Sequence, residues 1–137
     1  MKRIKLLGLA AMMLVPIGVV YAGAHNSVEV SITLDDTGTV VLGAFGNEAD
    51  AFNSVDSNQY IGCGGNTVSG FCQAHDATAD ADGVLNSAFC FTQNTQLLEQ
   101  IRSVAADSFV SFNMDPTTGE CLNIRVSHNS FYRPKAP

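Results

Sequence analysis

Four cysteines, Cys63, Cys72, Cys90 and Cys121, constrain this 137-residue chain more than any other feature. Their gaps are long, no Cys-x-x-Cys occurs, and no histidine clusters with them, so the spacing does not match a zinc site. The N-terminus points to cross-links instead. Lys2, Arg3 and Lys5 precede an uncharged apolar run from Leu6 to Tyr21, which ends in small residues at Ala22, Gly23 and Ala24. This is the pattern of a secretory leader. Cleavage is expected after Ala24, with Ala22 the alternative. The run is shorter than the ~20 residues of a membrane-spanning helix, and Pro16 interrupts it. The sequence therefore reads as a leader over 1–24 and one domain over 25–137, placed in the periplasm or outside the cell. In such a compartment four cysteines make two disulfides.

Loss of the leader sharpens the charge. The whole chain carries −6, and the leader holds three of the seven Lys/Arg and none of the 13 Asp/Glu, which leaves 4 − 13 = −9. A surface of that sign repels phosphate backbones, so nucleic acid is excluded as a partner.

The remaining chain alternates like a β protein. Val28, Val30, Ile32 and Leu34 share one face of a first strand, and Asp35-Asp36-Thr37-Gly38 turns it back into Thr39 to Ala44. Tyr60–Gly64, Ser69–Ala74 and Asn86–Thr92 read as three more strands. Ser108–Met114 and Cys121–Ser127 form a last hairpin around Asp115-Pro116-Thr117-Thr118-Gly119. Between them the period changes to that of a helix over about 94–105. Asn94 is its cap, and Leu97, Leu98, Ile101 and Val104 form its apolar face. The expected fold is mainly β, an antiparallel sandwich or curved sheet with one packed helix and two disulfides. Leu122, Ile124 and Val126 are expected to face inward, with Phe89 and Phe91 in the core. Phe45 to Gln59 reads as a loop pinned by Phe45, Phe52 and Val55.

Strand phase favours Cys63–Cys72 and Cys90–Cys121. Cys63 and Cys72 flank one short turn, and Cys90 and Cys121 both lie out of phase with the apolar positions expected to face the core. Cys72–Cys90 with Cys63–Cys121 is the rival, and sequence alone leaves three pairings open.

Candidate chemistry is sparse. Asp76, Asp80 and Asp82, in the stretch His75 to Gly83, offer hard oxygen ligands suited to Ca²⁺. They do not form an EF-hand, because Thr78 and Phe89 would occupy its first and last ligand positions. His75 and Asp76 are adjacent on a strand and point to opposite faces, which suits no general-base pair. No G-x-S-x-G elbow occurs, and Gly62-Cys63-Gly64-Gly65 is too short for a phosphate cradle. Sugar-stacking platforms are limited by the lack of Trp, leaving Tyr60, Phe131 and Tyr132.

The order Tyr-Ile-Gly-Cys (60–63), Cys-Gln-Ala (72–74), Cys-Phe-Thr (90–92), helix, Asp-Ser-Phe-Val-Ser-Phe (107–112) and Cys-Leu-Asn-Ile-Arg-Val (121–126) resembles small secreted four-cysteine bacterial proteins of uncharacterised function. The resemblance implies export and a β-rich fold, and no active residues. The functional expectation is an exported, non-enzymatic binding or interaction module for a protein or glycan, without a cofactor unless Ca²⁺ binds. It would meet its partner through the loop at 45–59 and the tip at 75–83. The alternative is a small secreted hydrolase or inhibitor that assembles His75 or His128 with a serine and a carboxylate.

Overall fold

The computed structural model describes residues 27–55, 58–79 and 85–128. The assigned leader, His25, Asp80, Asp82, Phe131 and Tyr132 lie outside that set. Within it, alternation becomes seven strands. β1 (Ser31–Leu34), β2 (Val41–Asn47), β6 (Phe109–Met114) and β7 (Cys121–Ser127) make one antiparallel sheet in the order β1-β2-β6-β7. β3 (Tyr60–Gly65), β4 (Gly70–Ala79) and β5 (Leu85–Thr92) make a second in the order β3-β4-β5. No helix among the described residues is long and apolar enough to cross a membrane.

Two hairpins close with the same device. Asp35 Oδ1 accepts from Thr39 N and Val40 N, and Asp115 Oδ1 accepts from Thr117 N and Thr118 N. These bonds hold both carboxyls below the usual carboxylate range. Gly38 and Gly119 then take φ of +72° and +75°, the left-handed region that glycine enters without a steric penalty.

Both sheets and the helix share one core. Ile32, Ala44, Val110, Phe112 and Ile124 come from the four-stranded sheet, and Ile61, Cys72, Ala74, Ala88 and Cys90 from the three-stranded one. α2 (Thr95–Arg102) adds Leu98 and Ile101. Asn94 caps it, its Oδ1 accepting from Gln96 N and Leu97 N, as the sequence leads one to expect. The helix sits on Gly70, where a Cβ would stand 2.6 Å from Ile101 Cδ1 and 2.9 Å from Leu98 Cδ2. Arg102 reaches the carbonyls of Asn66 and Thr67 in the β3–β4 turn, tying the helix end to that hairpin.

The disulfides are Cys63–Cys72 and Cys90–Cys121, the favoured pairing. The register shows why the rival is close. Cys63 pairs with Cys72, and Cys72 pairs with Cys90, so three cysteines lie side by side on the inner face. Cys63 and Cys72 are 4.1 Å apart at Cα, the spacing of a non-hydrogen-bonded antiparallel pair. In an inner strand a residue directs both its backbone bonds to one neighbour. Cys72 therefore bonds toward β5, and its pair with Cys90 is the wider kind, near 5.5 Å. Cys90 is free to bond across the layers to Cys121.

Four local expectations are overturned. Cys90 is fully buried, while Phe89 and Phe91 are 53% and 44% exposed, so the phase of β5 is the reverse of the expected one. Leu122 is 64% exposed because β7 carries an extra residue at this point. Met114 faces Cys121 and Asn113 faces Asn123, a bulge that turns Cys121 inward and Leu122 outward. The stretch from Phe45 is not an open loop: β2 continues to Asn47 and a short α1 (Glu48–Phe52) follows. Its anchors are not the expected ones, since Phe52 and Val55 are exposed and Phe45 faces outward beside Phe109. Finally, β4 runs past His75 to Ala79, so His75 and Asp76 belong to a strand rather than to a tip.

Loop-closure entropy ranks the two cross-links. Cys90–Cys121 spans 31 residues and Cys63–Cys72 spans 9. Removing the former as a Cys90→Ala/Cys121→Ala pair is expected to cost ~3–4 kcal/mol, about 1 kcal/mol more than removing the latter. Urea midpoints of the two double variants check that order.

Candidate functional site

The outer face of β3-β4-β5 is built in three rows. Gly64, Phe71 and Phe91 form the first, Gly62, Gln73 and Phe89 the second, and Tyr60, His75 and Ser87 the third. Strand alternation places all nine on one side, opposite Ile61, Cys63, Cys72, Ala74, Ala88 and Cys90. Phe71 stacks on Phe89 with centroids 6.0 Å apart, and Tyr60 stacks on His75 at 5.5 Å. Phe71 leans over Gly64, where a Cβ would meet its Cζ at 3.2 Å, and Phe91 lies over Gly119. The glycines give these rings a surface to rest on. Exposed rings gathered this way contribute little to the domain's own core.

Beside this face runs a groove of about 850 Å³ between α1 and β3, with Glu48, Phe52, Gln59, Tyr60, Ile61 and Ala106 among its walls. Local capping makes the helix that forms it. Asn47, fully buried, accepts from Asp50 N and donates to Asp107 O. Asp50 accepts from Val28 N, and Gln59 accepts from Val30 N while donating to Ser54 Oγ. The Asn53 amide donates to Ala49 O at the helix end.

Glu48 stands apart from these bonds. Its Oε1 lies 3.0 Å from where a Gly62 Cβ would be, and burial pushes its carboxyl up to about 7. A raised carboxyl pKa means the native state holds its proton to higher pH than the unfolded chain does. Stability is then full below about pH 4.5 and falls as pH rises to about 7. Glu48→Gln is expected to flatten that segment of the melting temperature–pH curve. Taking the difference between the two proteins isolates the contribution of Glu48.

The sequence-derived candidates separate. Asp76 is buried on the inner face, where Oδ2 has a long 3.5 Å contact from Asn86 and Oδ1 has no hydrogen-bond partner among the described residues. Asp80 and Asp82 lie outside the described residues, and among those described no three acidic, histidine or cysteine side chains form a metal-holding group. An open buried oxygen is costly, ~1–3 kcal/mol. Asp76→Ala is expected to raise the melting temperature measured with a chelator present. A calcium-dependent rise in the parent protein that this variant lacks would identify a cation as the missing partner.

His75 and Asp76 do point to opposite faces, as expected of neighbours on a strand. Ser108 and His128 do meet, Oγ to Nδ1 at 3.2 Å. Ser108 is fully buried, however, and its Oγ accepts from Ala105 N in the turn before β6. A hydroxyl closed off in a turn is a structural tie between β6 and the end of β7, not a nucleophile that a substrate can reach.

Phe71, Phe89, Phe91 and Glu48 are the site residues that sequence reasoning did not find. One signal for the rings was present: a cysteine in a cross-link belongs inside, and its neighbours on a strand then face out. The chain matches no protein-family model, and neither curated proteins nor solved structures include a significant match.

Proposed function

We propose that this protein is an exported, non-enzymatic binding module that holds a linear glycan on the outer face of β3-β4-β5. The observation that carries the reading is the shared exposure of Tyr60, Phe71, Phe89 and Phe91 on one sheet face, with Gln73, His75 and Ser87 interleaved. Rings stack on the apolar C–H faces of pyranoses, while the amide, imidazole and hydroxyl between them meet sugar hydroxyls. Size favours a glycan over a protein. Three strands ~4.8 Å apart and five residues of ~3.4 Å rise outline a face on the order of 300 Å² with its side-chain margins. A stable protein interface needs ~800 Å² per partner.

Export is supported by the leader pattern at 1–24 and by the use of all four cysteines in disulfides. The net negative chain matches a neutral or cationic polymer better than an anionic one.

The test is retention of the mature chain on microcrystalline cellulose and on chitin, with cellohexaose and chitohexaose titrated by calorimetry. Phe89→Ala/Phe91→Ala is expected to weaken binding at least about tenfold, ~1.4 kcal/mol, without lowering the melting temperature, because both rings are exposed. No retention on either polymer, or retention that the double variant leaves intact, would rule the reading out.

A further inference from the structure

The groove between α1 and β3 differs in chemistry from the sheet face beside it. Its floor includes Ala49, Ala51 and Ile61, Ala106 lines one wall, and its rims carry Phe52, 87% exposed, and Tyr60, 44% exposed. Most of its polar lining is committed internally. Gln59 is bonded at both ends of its amide, to Val30 N and Ser54 Oγ, and the Asn53 amide is bonded to Ala49 O. A sugar or other polyol would find few groups left to bond. Glu48 is the exception, a half-buried carboxyl to which no described residue donates, held over the bare backbone of Gly62.

We infer that this groove is a second binding site, for a small organic cation: an ammonium group carried on an apolar or aromatic body. Three features fit that chemistry. The Glu48 carboxylate supplies a single negative charge in a partly desolvated position, where a matching cation is worth more than in water. Phe52 and Tyr60 offer ring faces at the rim, which attract an ammonium through the ring quadrupole. The volume, about 850 Å³, lies in the range that accepts a small organic molecule. Among the described cations, Arg102 is engaged with the Asn66 and Thr67 carbonyls at the far end of β3.

Phenethylammonium and its neutral analogue 2-phenylethanol separate charge from shape. Each is titrated into the mature protein at a pH where Glu48 is ionised, with amide shifts followed by NMR. Phenethylammonium is expected to shift residues 48–54 and 60–62 and to bind roughly tenfold more tightly than the alcohol. Glu48→Gln should erase that preference while leaving the weak binding of the alcohol. Phe52→Ala, which removes an exposed ring and leaves the fold intact, should weaken both ligands. Phe89→Ala/Phe91→Ala should change neither affinity, so a failure of the glycan reading leaves this result standing. Equal affinity for the two probes, no binding of either, or a preference retained by Glu48→Gln would each overturn the inference.

Discussion

The bond between Cys90 and Cys121 decides which way this molecule faces. It joins the edge strand β5 of one sheet to the edge strand β7 of the other, and a disulfide tolerates only a narrow range of Cα separation. Once Cys90 is held inside, strand geometry forces Phe89 and Phe91 outward, and pairing with β4 carries Phe71 and Gln73 with them. The bulge at Leu122 serves the same bond, since without the extra residue Cys121 would share the outward phase of Asn123 and Arg125. One covalent link thus sets the inner and outer faces of four strands.

A consequence is a reversal of the usual size order across a sheet. The inner face of β3-β4-β5 carries mostly small residues, alanine and cysteine with Ile61, Thr92 and Asp76, whereas the outer face carries Tyr60, Phe71, Phe89 and Phe91. Small inner residues let the layers approach closely, and sulfur cross-links replace the burial that larger side chains would give. Phe112 is the aromatic ring of the shared core, and the rings of this sheet stay on its outer face. The same economy appears at β3, where Gly64 provides room for Phe71 and Gly62, on the same face, provides room for Glu48.

Much of the fold was legible because it is local. Alternation in Val28–Leu34, the aspartate and glycine turns, and the Asn94 cap are each written in adjacent residues, and the structure reproduces them. The cysteine pairing was reachable from strand phase and spacing, although the phase argument ran backwards: both cysteines of Cys90–Cys121 face the core, not away from it. A period of two separates two faces but does not say which is wet, and Phe-Cys-Phe is apolar on both. The five residues of α1 are too few to show a helical period. Glu48 went unnoticed because its setting depends on Gly62, Ala106 and Tyr60, none of them near it in sequence. Tyr60 alone among the four rings of this face was named, because the phenylalanines alternate into strands and read as core.

The row of Cys63, Cys72 and Cys90 also bears on how the molecule is made. Cys72 has a thiol partner on either side, and the register of the finished sheet brings Cys63 closer than Cys90. Order of appearance would act in the same direction. A chain threaded N-terminus first into an oxidising space presents Cys63 and Cys72 on one tight hairpin before Cys90 arrives, and the closer pair can seal at once. Cys90 then remains a lone thiol until β7 brings Cys121. Release of the same chain all at once from a denatured, reduced state removes that sequence of events and lets Cys72 choose between neighbours. Direction of synthesis and strand register then favour the same pair.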